Sequence, residues 1–207
     1  MKNSMIKGFV SVIFASALLS SCNLLDLTPK AAVTAKTYFK NESELDLYAN
    51  RFYSDILPGG SEIYKEIGDN MIWIPLASEV SLTRTVPETG GGWSFEALRH
   101  INFLLENIGN CDDQAAVRKY TGVAKFFRAH YYFNMVKRFG DVPWLDHVPG
   151  TDDPDLYKPR DSRDVVMEHI IEDLDEAIEL FKKENSTKDL YHVTWWTALA
   201  LKSRICL

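Results

Sequence analysis

A histidine and two carboxylates three and four residues apart on a helix can share one face and one ligand, and His169, Glu172 and Asp173 stand at that spacing. A metal held there would need a further ligand, and no second histidine has partner spacing, so a solvated polar face is the expected role. Asp152, Asp153 and Asp155 crowd oxygens of the kind calcium prefers. The segment lacks the glycine and the glutamate that an EF-hand loop requires, and Pro154 interrupts it, so it reads as an acidic surface loop. Glycoside hydrolysis needs only two placed carboxylates, and the 29 acidic residues offer many candidates. Most of them fall on helix faces expected to be solvated, where a pKa is seldom retuned. The chain contains no G-x-S-x-G elbow, no H-E-x-x-H and no P-loop. No catalytic residue, metal or cofactor is therefore assigned. Arg128, inside an aromatic-rich helix, is expected to pair with a carboxylate of a neighbouring helix or to stack on a ring.

The thiol of Cys22 points to a different chemistry. It follows Leu19-Ser20-Ser21 at the end of a leader that opens with Lys2 and Lys7 and continues through Phe9, Val10, Val12, Ile13 and Phe14. A basic start, a short apolar stretch and small residues at the exit make a secretory signal peptide over residues 1–21, too short and too broken by serine to span a bilayer. Leucine, two small residues and cysteine resemble a bacterial lipobox. That resemblance implies cleavage before Cys22, diacylation of its thiol and membrane anchoring through the acyl chains. Losing the leader leaves 186 of 207 residues, enough for one domain, and takes two positive charges from a net −6 to leave −8. So acidic a chain is a poor partner for nucleic acid. Cys111 and Cys206 are too few for a disulfide scaffold, and Cys206, in an apolar run, is expected to be a buried free thiol.

Helices must position whatever site exists. After a tether over residues 22–40, apolar periodicity places a helix from Glu42 to Ile56 behind an Asn41 cap, with Leu45, Tyr48, Ala49, Phe52 and Ile56 on its stripe. Residues 61–92 read as a long irregular loop carrying aromatics, the kind of segment that tends to serve function. Further helices follow over Ser94 to Ile108, Asp113 to Arg138 with Asp112 as cap, Ser162 to Lys183, and from Trp195 onward, where Trp195 and Trp196 are expected to pack inward. The linker with Pro143, Pro149, Pro154 and Pro159 is too rich in proline to be helical. Because Ile205-Cys206-Leu207 ends in mid-helix, the chain is expected to be part of a longer protein. The fold class is all-α, a bundle of tetratricopeptide-like helix pairs with long loops, over an α-helical domain of residues 41–207.

The run from Ala124 to Phe133, AKFFRAHYYF, followed by Arg138-Phe139-Gly140-Asp141-Val142-Pro143, resembles the SusD/RagB family of outer-membrane lipoproteins. Trp93, Leu98-Arg99, Ile101-Asn102, Leu105-Glu106-Asn107, Arg160-Asp161-Ser162 and Ala198 to Arg204 add to the likeness in family order. The resemblance implies a surface-exposed, non-enzymatic binder of oligosaccharide or peptide, seated on a SusC-like TonB-dependent transporter. Sugar recognition needs flat apolar platforms and fixed polar groups in a concave site. Trp73 and Trp93 are the candidate platforms, with Asn70, Glu79 and Arg84 as polar candidates. Trp93, beside a helix start, is expected to pack as well; Trp73, in the loop, suits either role. A surface-anchored glycoside hydrolase and a helical-repeat adaptor without a small ligand are the alternatives.

Overall fold

The computed structural model describes residues 37–59, 76, 78, 80–88, 90–184 and 191–207, all within the compact unit Ala35–Leu207. Five helices carry it: α1 Glu42–Ile56, α2 Glu96–Asn107, α3 Gln114–Phe139, α4 Arg163–Lys183 and α5 Trp195–Ile205. Short 3-10 turns cover Ile108–Asn110 and Pro154–Tyr157. Among the described residues the nearest thing to a sheet is one antiparallel bridge between Val142 and Asp161. No described helix is long and apolar enough to cross a membrane.

The helix ends follow from capping chemistry. Asn41 Oδ1 accepts the Glu44 N–H at 3.0 Å, while the Glu44 carboxylate accepts the Lys40 N–H, so two orphan donors are satisfied reciprocally. Asp113, rather than Asp112, caps α3 by accepting the N–H groups of Ala115 and Ala116. Ser162 caps α4 and Thr194 caps α5. Gly140, at φ +72°, ends α3 in a conformation that costs a side chain dearly.

α3 is the central helix. Ala124, Phe127, Ala129 and Tyr132 are fully buried, and Val123 and Phe126 are buried on other faces, because α1, α2 and α4 surround it. Its closest partner is α4, and Gly122 explains how closely they approach: a Cβ there would lie 2.9 Å from the fully buried Phe181 ring. Before α1, Phe39 takes φ +66°, and its ring is fully buried 5.0 Å from Tyr48 and 6.0 Å from Phe103. Burying that ring offsets the local backbone strain.

Three further expectations change. Cys206 is exposed, while Cys111 is the buried thiol. Trp196 is 60% exposed and stacks on the half-buried Trp195 at 3.6 Å instead of entering the core. An apolar run read without a partner surface cannot tell which face of α5 is covered. Asp173 is buried, unlike His169 and Glu172, since it turns toward α3. Arg128 does both things expected of it: Nε and Nη2 donate to Asp173 at 2.6 and 2.7 Å, and its guanidinium lies 5.2 Å from the Trp144 ring centroid.

Candidate functional site

Two clefts open beside the start of α2. The larger, of about 510 Å³, lies between the first turns of α2 and the loop of residues 143–158. Trp93, Phe95, Leu98, Leu145 and Leu156 give it apolar walls, and Glu96, Arg99, Asn102 and Lys158 supply polar groups. The smaller, of about 400 Å³, is lined by Arg84, Val86, Pro87, Gly90, Arg138 and Phe139. Concave spaces of this size with mostly apolar walls and a few convergent polar groups suit small ligands.

Trp93 stands at the larger cleft because a glycine turn delivers it there. Gly90, Gly91 and Gly92 all have positive φ, and the Trp93 N–H donates to the Gly90 carbonyl at 2.9 Å. The Tyr131 hydroxyl then donates to the Ser94 carbonyl at 2.7 Å and ties this entry to α3. Buried without a charged partner, that phenol is pushed far above its ordinary range. The indole meets Phe95 and Phe139 edge-to-face at 5.4 and 4.9 Å, and the Arg160 guanidinium lies 4.7 Å from its centroid. Trp93 is thus half-buried: it packs, and it also presents surface to the cleft.

The opposite wall turns on its own backbone hydrogen bonds from Gly150 to Lys158, whereas from Pro143 to Val148 side chains satisfy the backbone. Asn102, fully inside α2, donates to the carbonyls of Leu145 and His147 at 2.9 and 3.0 Å. Its carbonyl oxygen accepts from Arg128 Nη1 at 3.4 Å, which links the wall to the Asp173 pair. Burial would weaken the charge on Arg128, but the bonds to Asp173 outweigh it and raise the pKa. The Tyr132 hydroxyl accepts the Leu145 N–H at 2.7 Å and donates to the Pro143 carbonyl at 3.2 Å. Glu106 accepts the Val148 N–H at 2.6 Å. Lys158 pairs with Asp161 at 2.9 Å and donates to the Trp144 carbonyl.

Farther along this loop His147 bonds Asp146 at 3.1 Å and Asp153 at 3.0 Å, with Asp155 at 3.8 Å. Those hydrogen bonds raise the imidazole pKa above its ordinary 6.5. The bond to His147 lowers that of Asp146; for Asp153 the Asp155 N–H acts first and His147 second. The ligand atoms of His147, Asp153 and Asp155 lie within 4.8 Å of one another, a spacing that could hold a cation. Of the three, His147 and Asp153 already bond to each other without one.

Of the residues expected to bind ligand, Trp93 lines the larger cleft and Arg84 the smaller. Cys22, Asn70, Trp73 and Glu79 lie outside the described residues. Sequence reasoning did not single out Arg99, Arg138, His147 or Lys158 as site residues. They come from α2, α3 and the proline-rich loop, and no spacing along the chain signals that these segments meet.

Residues 90–207 match a SusD-like family described as starch-binding and associating with the outer membrane. The fold is similar to the crystal structure of a SusD-like protein from Bacteroides fragilis NCTC 9343, with a TM-score of 0.70 and 26% sequence identity. That match covers 86% of this chain and 37% of the other, so this chain spans little more than a third of that protein's length. No curated protein matches.

Proposed function

The chain belongs to the SusD-like family, and we propose that it is a lipid-anchored outer-membrane protein, exposed at the cell surface, that binds glycan nutrients and passes them to a SusC-like TonB-dependent transporter. In this reading residues 1–21 are the leader, Cys22 carries the acyl chains, and the tether ends where Tyr38 and Phe39 pack against Tyr48. The observation that carries the proposal is the cleft beside Trp93. There an indole and apolar walls can receive the C–H face of a sugar, while Arg99 and Glu96 can meet its hydroxyls. Trp73, Asn70, Glu79 and Arg84 remain the further candidates for ligand contact.

Binding without turnover suits the charges. A glycosidase needs a carboxylic acid whose pKa is raised so that it can donate a proton. Among the described carboxylates the resolved shifts, at Asp146, Asp153 and Asp161, are all downward.

Calorimetric titration of the full chain with maltooligosaccharides and a panel of other glycans tests the reading. Binding is expected, with the glycan recovered intact, and Trp93→Ala is expected to weaken it by about tenfold or more, the range found for aromatic stacking anchors. New reducing ends in the recovered glycan would favour a hydrolase, and absence of binding across the panel would refute the proposal. Cys22→Ser should release the protein from the membrane fraction.

A further inference from the structure

Four arginines gather where Trp93 meets Phe139. Arg160 lies over the Trp93 ring at 4.7 Å, and Arg138 lies 5.6 Å from the Phe139 centroid. Arg138 also packs on Gly92, where a Cβ would come within 3.2 Å of its guanidinium carbon. Arg99 lines the larger cleft beside Trp93, and Arg84 lines the smaller beside Arg138. Since the two rings touch at 4.9 Å, one aromatic pair contributes to both clefts.

Several half-buried bases elsewhere in this acidic chain find acids, as in Arg51–Asp55, Lys119–Glu42 and Lys202–Asp175. Among the described residues Arg99, Arg138 and Arg160 make no ion pair and no side-chain hydrogen bond. Among the same residues Lys183 and Arg204 are also exposed without an acid partner, so what sets Arg99, Arg138 and Arg160 apart is their gathering around one aromatic pair. A guanidinium stacked on a ring uses its flat face and keeps its in-plane N–H fork free, the geometry that takes a carboxylate or sulfate in two parallel bonds. Two carboxylates also line the larger cleft, Glu96 in the first turn of α2 and Asp155, which faces His147. The cations around the aromatic pair outnumber them.

We propose that the face built on Trp93 and Phe139 selects an anionic oligosaccharide, with uronate carboxylates or sulfate esters engaging Arg99, Arg138 and Arg160 while sugar rings occupy the two clefts. The inference rests on the glycan-binding reading above and narrows it from glycans in general to acidic ones. The free forks give orientation as well as attraction, so acid groups spaced along a chain can fix its register across the aromatic pair.

The test is calorimetric titration of the full chain with oligogalacturonate and its methyl ester, with chondroitin sulfate oligosaccharide and its desulfated form, and with maltooligosaccharide. At least one acidic probe is expected to bind, its neutralised form more weakly by about tenfold, and salt should weaken the acidic complex. Binding by the carboxylated or by the sulfated probe identifies the acid group. Arg99→Gln and Arg160→Gln should each cost about tenfold in affinity for it, and Arg160→Lys should recover only part, because an ammonium lacks the planar fork. Equal binding of acidic and neutralised forms, or full affinity in the arginine variants, would overturn the proposal. Binding of maltooligosaccharide alone would overturn it and leave the glycan-binding reading standing. Binding of no probe would overturn it, and the wider glycan panel then decides the glycan-binding reading.

Discussion

Arg128 and Arg160 both set a guanidinium over a tryptophan, at 5.2 Å from Trp144 and 4.7 Å from Trp93, yet they belong to opposite kinds of region. The Arg128 side chain is 8% exposed and locked on Asp173, with Lys125 also on that carboxylate and Asn102 on the guanidinium. Arg160 is exposed, and the ring is its one partner among the described residues. Buried charge demands complete pairing, because an unpaired ion in a low dielectric is very costly. Exposed charge makes no such demand, so it can be left open for a ligand. The difference separates the arginine that holds the cleft together from those that can meet what enters it.

The largest expected effect breaks the buried region. Arg128→Ala should lower stability by about 3–5 kcal/mol, because Asp173 would stay buried beside a lost partner. Denaturant unfolding followed by circular dichroism measures it. Replacing both residues with apolar ones of similar volume should recover much of the loss, whereas a loss under 1 kcal/mol in the single variant would mean that water or a neighbour takes over. Next is Asn102→Ala, which strips two donors from the Leu145 and His147 carbonyls and should cost about 1–3 kcal/mol. Because it also frees the cleft wall, it should reduce glycan affinity even where the protein stays folded; unchanged affinity would uncouple the wall from the site.

Arg160→Gln should do the reverse. Its stability is expected to stay within about 0.5 kcal/mol of the parent, while affinity falls. A large drop in melting temperature would show that the stack on Trp93 is structural, and the contrast with Arg128 would fail. The smallest effect is a pH dependence. Asp146 and Asp153 hold the folded-state pKa of His147 above 6.5, so its contribution to loop order is complete below that value and is lost as pH rises through the raised folded pKa. Hydrogen exchange of the Pro154–Tyr157 turn, compared with a His147→Gln variant, should show extra protection in the parent at acidic pH and convergence at alkaline pH. Equal protection at every pH would remove His147 from the loop's stability.

The helical frame was legible in the sequence. α1 begins at Glu42 and ends at Ile56 as its apolar stripe and Asn41 cap imply, and Gly140, Ser162 and Thr194 mark later ends as their chemistry predicts. Small errors came where local rules tie: adjacent Asp112 and Asp113 are equally good caps by type, and the register chose Asp113. α2 starts at Glu96 rather than Ser94 because the Trp93 turn is held by Gly90 and Tyr131. Two residues that line the candidate clefts were legible. Trp93 and Arg84 were visible as residue types suited to binding, whereas Arg99, Arg138 and Lys158 look like ordinary surface bases until three segments converge.

Periodicity, caps and breakers are near-neighbour properties, and from them the chain's all-helical class and the approximate extents of its helices could be read, while the expected lipidation at Cys22 came from the resemblance to a lipobox. Which face of α5 is covered, that Asp173 turns inward to meet Arg128, and that the rings of Trp93 and Phe139 bring scattered arginines together were decided by packing. Burial and charge pairing depend on residues far apart along the chain, so those outcomes exist only once the helices have docked.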